Sequence, residues 1–90
     1  MPAAHMFIEG EVQGVGFRYF ILEQARRLSL QGFVRNLADG SVEIEVEGEQ
    51  AAIEQLLVQA KTGPRHARVE NVTVSWKEPQ GLYAAFGIRS

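Results

Sequence analysis

The sequence contains no cysteine, only two histidines and a single tryptophan. The lack of cysteine excludes disulfides, thiol nucleophiles and thiolate metal sites. No apolar run approaches the roughly 20 residues that a membrane-spanning helix needs. The opening Met-Pro-Ala-Ala-His does not have the pattern of a signal peptide. Together these absences predict a cytoplasmic protein with no membrane partner.

Neither sign of charge dominates, because the formal net charge is -2 and the calculated pI is about 5.6. A broad basic surface for nucleic acid or acidic lipid is therefore not expected. The 90 residues are 46% hydrophobic and 22% charged, which is ordinary for a globular protein. We expect one domain over residues 1–90, without linkers or repeats, and a monomer as its simplest state.

The spacing of apolar residues divides the chain into strands and helices. The elements expected in chain order are a strand at 6–12, a helix at 17–28, strands at 33–37 and 42–47, a helix at 53–60, a strand at 72–77 and a short strand within 83–88. The order βαββαβ with an added strand is that of the α+β, ferredoxin-like split-βαβ fold. It predicts an antiparallel sheet with both helices on one face and solvent on the other.

Charged side chains alternate with apolar ones in the third strand, where Glu43, Glu45 and Glu47 share a face. A solvated sheet face explains them better than a cation site. His5 and His66 have no partners at metal-ligand spacing. The sequence thus predicts neither a metal nor another cofactor.

The large aromatic residues are expected in the core, as are most such residues. They are Phe17, Phe20, Phe33 and Trp76. Arg35 alternates with its neighbours in the second strand and is expected at the surface.

The segment Gly10 to Arg18 joins the first strand to the first helix and contains two glycines in its loop, Gly14 and Gly16. Glycine lets backbone N–H groups turn toward a ligand, and a helix N-terminus adds further donors for an anion. Arg18 adds a planar guanidinium that can hold two phosphate oxygens. The predicted donors are the backbone N–H groups of Gln13, Gly14, Val15, Gly16 and Phe17.

Asn36 is the expected partner of this loop, because it lies at the carboxyl end of the second strand. In the predicted topology strands one and two are parallel, with strand three between them, so their carboxyl ends meet at one edge of the sheet. An amide can orient a water molecule while remaining unionised. Phosphoryl transfer depends mainly on positioning and charge stabilisation. Since no metal or general-acid signature is present, an activated phosphate such as an acyl phosphate is the favoured substrate.

Two spaced motifs resemble the signatures of the acylphosphatase family. The first is Gly10-x-Val12-Gln13-Gly14-Val15-x-Phe17-Arg18, and the second is Gly32-Phe33-Val34-Arg35-Asn36 followed by Gly40, Val42 and Gly48. The resemblance implies a metal-independent hydrolase of small-molecule acyl phosphates. It also implies that Arg18 binds the phosphoryl group and that Asn36 orients the attacking water. Phe33 departs from the Trp of many relatives, which we interpret as a packing change.

Two alternatives remain open at this point. A non-catalytic anion-binding or regulatory module could use the same loop and fold. An RNA-binding domain could share the βαββαβ order, but it would need exposed aromatics and a basic sheet face where this chain has glutamates. The physiological acyl phosphate and the acceptor of the water proton are not specified by the residues.

Overall fold

Seven regular elements follow the predicted order in a computed structural model that describes residues 2–90. They are β1 (Ala3–Glu11), α1 (Phe17–Arg27), β2 (Gln31–Asn36), β3 (Val42–Glu47), α2 (Gln50–Thr62), β4 (Arg68–Lys77) and β5 (Phe86–Arg89). The strands form one sheet in the order β4-β1-β3-β2-β5. The ferredoxin-like fold predicted from the sequence is confirmed. Neither helix is long and apolar enough to cross a bilayer.

The two helices form because their apolar residues recur at helical spacing and cover one face of the sheet. Phe17, Ile21 and Ala25 are the buried positions of α1, each four residues from the next. The buried positions of α2 are Ile53, Leu56 and Ala60. They pack against the strand residues that point the same way, which are Ala4, Met6, Ile8, Val34, Val42, Ile44, Val46 and Phe86. This packing buries the core between helices and sheet.

Strands β1 and β4 are longer than their apolar alternation predicts. They pair along their whole lengths, from Ala3 opposite Lys77 to Glu11 opposite Arg68. Cross-strand pairing thus extends both strands into residues where apolar and polar side chains do not alternate. The fifth strand, expected within 83–88, lies parallel to β2. The sheet is therefore mixed rather than wholly antiparallel.

The open face of the sheet, away from the helices, is paired and partly covered rather than solvated. Glu43 accepts a hydrogen bond from His5 Nε2 at 2.7 Å and another from Arg35 Nε. Glu45 lies 3.1 Å from the ammonium of Lys77. The expectation of a solvated glutamate face is wrong, because basic side chains on other strands of the sheet lie within reach of these carboxylates.

Glu47 is also not solvated, since only 6% of it is exposed. Its carboxylate accepts hydrogen bonds from the backbone N–H of Gln80 at 2.7 Å and of Gly81 at 3.2 Å. The segment at 79–81 thus covers this end of β3. Glu47 binds a loop of its own chain.

Burial raises the pKa of Glu43, but the hydrogen bonds from His5 and Arg35 outweigh it and bring that pKa below its usual range. The carboxylate is therefore ionised at neutral pH. A partly buried charge of this kind needs its partners, because desolvation would otherwise favour the neutral acid.

The predicted aromatic core holds for three of its four members. Phe17 and Phe33 are buried and Phe20 packs partly buried against the core. Phe33 is covered on the open face by Arg89, whose guanidinium lies 4.2 Å from the ring centre. The prediction for Trp76 is wrong, since it is 47% exposed. It lies near the end of β4, an edge strand with a neighbour on one side only.

Candidate functional site

The glycine loop and Asn36 meet at one edge of the sheet, as the strand order requires. β1 and β2 flank β3 on either side, and both pair antiparallel to it. Their carboxyl ends therefore lie together. A cavity of about 130 Å³ lies at this edge. Its walls are formed by Val12, Gly14, Gly16, Phe17, Arg18, Tyr19 and Asn36.

Both loop glycines adopt backbone conformations that other residues rarely take. Gly14 has φ 75° and Gly16 has φ 80°, and a Cβ on either would meet nothing within 4 Å. The requirement is thus conformational and not steric: a left-handed backbone costs an ordinary residue about 1 kcal/mol or more. Gly16 is also the residue that caps α1, without any side-chain hydrogen bond. The turn directs the chain straight into the helix.

The first turn of α1 offers backbone donors to this cavity. The first helical bond runs from the N–H of Phe20 to the carbonyl of Gly16 at 3.0 Å, which leaves the N–H groups of Phe17, Arg18 and Tyr19 outside the helical pattern. No acidic side chain lies in this first turn. The positive end of the helix dipole therefore faces the cavity without an internal counter-charge. This arrangement favours an anion.

Arg18 lines the cavity and is half-buried. Within residues 2–90 its guanidinium forms no ion pair. A cation that is not used by the protein, beside free backbone donors, can serve an oxyanion with two parallel hydrogen bonds. The structure thus brings Arg18 to the predicted place.

Asn36 lines the same cavity and carries a buried amide oxygen. Its Oδ1 is inaccessible and has no hydrogen-bond partner among residues 2–90. Such an orphan is uncommon in folded proteins and costs about 1–3 kcal/mol. Its neighbour Arg35 lies on the open face, as strand alternation predicts, and there it donates a hydrogen bond to Glu43. The cost at Asn36 is understandable if the amide serves a bound water or ligand.

The side chain of Gln13 does not line the cavity but binds the turn beside it. Its Nε2 donates to the carbonyls of Leu37 at 2.8 Å and Ser41 at 2.9 Å. These carbonyls belong to the turn that follows Asn36. Gln13 therefore fastens the glycine loop to the strand end that carries Asn36. Its backbone N–H as an anion donor stays a prediction.

The turn held by Gln13 is itself fixed by Asp39. Its Oδ1 accepts hydrogen bonds from the backbone N–H of Ser41 at 2.9 Å and from Ser41 Oγ at 2.6 Å. These bonds, the side-chain one foremost, lower the pKa of Asp39 from its usual value. The two halves of the site are thus joined through one rigid turn.

Two further residues have side chains whose positions the sequence did not predict. The side chain of Val15 packs against the core and does not line the cavity, while its backbone N–H as an anion donor stays a prediction. Tyr19 was not predicted, yet it lines the cavity and is 69% exposed. The available signal was its place directly after Arg18, in the first turn of the helix. Within residues 2–90 no group of three or more His, Asp or Glu could hold a metal ion.

Comparisons with known proteins identify the family of this chain. The family model for acylphosphatase matches residues 4–88. An acylphosphatase from Roseiflexus sp. is 47% identical over 88 residues, covering 98% of this chain and 95% of that protein. One from Anaeromyxobacter sp. is 49% identical over 89 residues, covering 99% and 96%. The chain belongs to the acylphosphatase family.

Solved structures show the same fold in two contexts. The crystal structure of acylphosphatase from Bacillus subtilis superposes with a TM-score of 0.96 at 33% identity and covers 100% of both chains. HypF from T. kodakarensis matches with a TM-score of 0.86 at 36% identity, covering 100% of this chain but 12% of that one. The family and its curated members establish this chain as an enzyme that hydrolyses acyl phosphates.

Proposed function

We propose that hydrolysis proceeds by in-line attack of a water, oriented by Asn36, on a phosphoryl group held by Arg18 and the backbone of residues 13–18. The observation that carries the proposal is the convergence of Arg18 and Asn36 on one small cavity. Each brings a polar group that lacks a partner within the described residues. The guanidinium of Arg18 suits an anion, whereas the amide of Asn36 suits a neutral molecule.

The phosphoryl oxygens would lie against the guanidinium of Arg18 and the N–H groups around Gly16. There they gain charge-assisted hydrogen bonds from donors that are already oriented. Because the phosphoryl-transfer transition state is loose, such placement and charge stabilisation supply most of what the reaction needs.

The water would donate a hydrogen bond to Oδ1 of Asn36. This bond orients a lone pair of the water oxygen toward phosphorus. The water oxygen forms the new P–O bond as the bond from phosphorus to the acyl oxygen breaks. The bonding pair leaves with that oxygen, and the acyl group departs as a carboxylate. One water proton passes to a phosphoryl oxygen, which yields inorganic phosphate. No group with a tuned pKa is required, since the carboxylate is a stable leaving group.

We further propose that catalysis requires no metal. The residues lining the cavity include neither carboxylate nor imidazole, which are the ligands that hard and borderline cations prefer. Activity in excess chelator should therefore equal activity without it. Small-molecule acyl phosphates are the substrates we propose; action in the cytoplasm as a monomer stays a prediction, to be checked by cell fractionation and analytical ultracentrifugation.

The match to a 12% portion of HypF keeps a non-catalytic module as the second candidate, since this fold also occurs inside a much longer protein. Such a module would bind inorganic phosphate without turning over any acyl phosphate. The two candidates differ in turnover and not in binding.

The test is hydrolysis of acetyl and benzoyl phosphate by the wild type and by Arg18→Ala, both in excess chelator. We expect turnover by the wild type, competitive inhibition by inorganic phosphate, and a loss of about a thousandfold in kcat/KM for the variant. Equal activity of the two proteins would overturn the assignment of Arg18. Phosphate binding without wild-type turnover would favour the non-catalytic module.

A further inference from the structure

The glycine loop is in contact with the connection between α2 and β4, which is distant from it in the sequence. We call residues 63–70, which comprise this connection and the first residues of β4, the clasp segment. The chain meets the clasp segment at two places, once just before the glycine loop and once just after it. The backbone on both sides of the loop is thus supported by one other part of the chain.

The first contact is made by Gly10, in β1 just before the loop. A Cβ at Gly10 would overlap the carbonyl oxygen of Arg68, so only glycine allows the two backbones to approach this closely. The pairing of the strands changes register at this point, where β4 has one more residue than β1. Such a bulge bends a strand locally. The direction in which β1 enters the loop is therefore set by its pairing with the clasp segment.

The second contact is made by Phe17, directly after the loop. Phe17 is 1% exposed and lines the cavity of Arg18 and Asn36. A Cβ at Gly63 would lie 3.2 Å from Cε2 of the Phe17 ring, closer than the optimal carbon–carbon separation of about 3.5–4.0 Å. The backbone of Gly63 therefore packs against this ring with no space for a side chain.

Local hydrogen bonds make the clasp segment a rigid support. Gly63 ends α2 with φ 71°, and its N–H donates to the carbonyl of Gln59 at 2.8 Å. Pro64 follows, and its ring restricts both its own φ and the backbone of the preceding residue. The N–H of Ala67 donates to the carbonyl of Pro64 at 3.0 Å, which closes a turn before β4. The path of the chain from α2 past the Phe17 ring to β4 is thus fixed.

We propose that Gly63 is a positioning residue for phosphate binding, because its lack of a side chain lets the clasp segment close against Phe17 and set the place of the Phe17 N–H. The proposal rests on the proposed function, since it assumes that phosphoryl oxygens bind the backbone donors of this loop. A Cβ at Gly63 would have to displace a buried ring. In a close-packed interior that displacement moves the backbone to which the ring is attached.

The test compares Gly63→Ala with Gly81→Ala. Gly81 has nearly the same φ, 68°, but a Cβ there would meet no heavy atom of residues 2–90 within 4 Å. It lies beside Glu47, at the end of β3 opposite the cavity. Both variants should lower the urea midpoint, because alanine is strained at positive φ. Only Gly63→Ala should lower kcat/KM for benzoyl phosphate and weaken inhibition by inorganic phosphate, each by about tenfold.

Two results of this comparison would overturn the proposal. One is wild-type phosphate inhibition in Gly63→Ala. The other is an equal loss of activity in Gly81→Ala, since backbone strain without the ring contact would then explain the effect.

Phe17→Leu tests whether the effect passes through the ring. Leucine remains apolar but lacks the ring edge that faces Gly63, so this variant should itself weaken phosphate inhibition. Adding Gly63→Ala to it should then cost less than about twofold, because the two changes disrupt the same contact. A further loss of about tenfold in the double variant would overturn the proposal. If Gly63→Ala does not fold, Phe17→Leu decides alone: wild-type phosphate inhibition would overturn the proposal, and weakened inhibition would support it.

Arg18→Ala separates the failure of this proposal from the failure of the proposed function. If Arg18→Ala retains wild-type turnover, the phosphate site itself is wrong. If Arg18→Ala is inactive and Gly63→Ala behaves as the wild type, the positioning role of Gly63 alone is wrong.

Discussion

The catalytic edge of the sheet, where Arg18 and Asn36 meet, differs from its open face in whether the polar side chains have partners. At the edge, Arg18 has no ion-pair partner and Asn36 has an orphaned oxygen within the described residues. On the open face, Glu43, Glu45 and Glu47 all have partners from other strands or from a loop. Asn36 and Glu43 lie on neighbouring strands of one sheet, so the contrast does not come from the fold.

The difference separates residues that act on a ligand from residues that hold the protein together. Paired groups contribute to stability because their desolvation is offset inside the protein. Unpaired buried groups lower stability, and they persist where they are needed for binding or chemistry. Substitutions at the edge should therefore change activity and leave stability intact, while those on the open face should do the reverse.

The largest effect is expected at Arg18. Arg18→Lys keeps the charge but loses the planar fork, so kcat/KM for benzoyl phosphate should fall about a thousandfold, equivalent to about 4 kcal/mol. The free energy of unfolding should change by less than about 0.5 kcal/mol, because no internal ion pair is lost. Steady-state kinetics measures the change in kcat/KM, and urea denaturation measures the change in the free energy of unfolding. Wild-type activity in this variant would show that charge alone suffices.

A smaller effect, confined to stability, is expected at Glu43. Glu43→Gln weakens the pairing with His5 and Arg35 and should lower the free energy of unfolding by about 1.5 kcal/mol, with kcat unchanged. Urea denaturation measures the loss. Glu70→Gln, at an exposed position on β4, is the matched control and should change stability by less than about 0.5 kcal/mol.

The pH dependence of this stability difference follows from the lowered pKa of Glu43. A carboxyl with a depressed folded-state pKa stabilises the fold above its unfolded pKa and loses that contribution as pH falls through the folded pKa. The advantage of the wild type over Glu43→Gln should be full at neutral pH. It should begin to fall near pH 4.5, the ordinary value, and disappear at lower pH. A difference that stays constant down to pH 2 would contradict this.

A smaller loss of activity than at Arg18, combined with a smaller loss of stability than at Glu43, is expected at Gln13, which is paired but lies at the catalytic edge. Gln13→Ala removes both bonds to the turn after Asn36, so it should cost about 1 kcal/mol of stability and roughly tenfold in kcat. Gln55→Ala, on an exposed position of α2, should change neither. Loss of stability without loss of kcat would show that the loop keeps its position without this anchor.

Much of this organisation could be predicted from the sequence, because it depends on local patterns. Alternation and helical spacing gave the element order, and the strand order placed Asn36 opposite the glycine loop. The covered open face could not be predicted, since it depends on which residues face each other across strands, as Arg35 faces Glu43. The exposure of Trp76 and the cavity position of Tyr19 also depend on tertiary neighbours, which periodicity does not specify.

The most direct test compares two neighbours on β2 that point to opposite faces, Asn36 and Arg35. Asn36→Ala should lower kcat about a hundredfold while inhibition by inorganic phosphate and the free energy of unfolding stay near wild type. Arg35→Ala should lower the free energy of unfolding by about 1 kcal/mol and leave kcat within about twofold. An Asn36→Ala variant with wild-type kcat would contradict the water-orienting role and with it the account of this site.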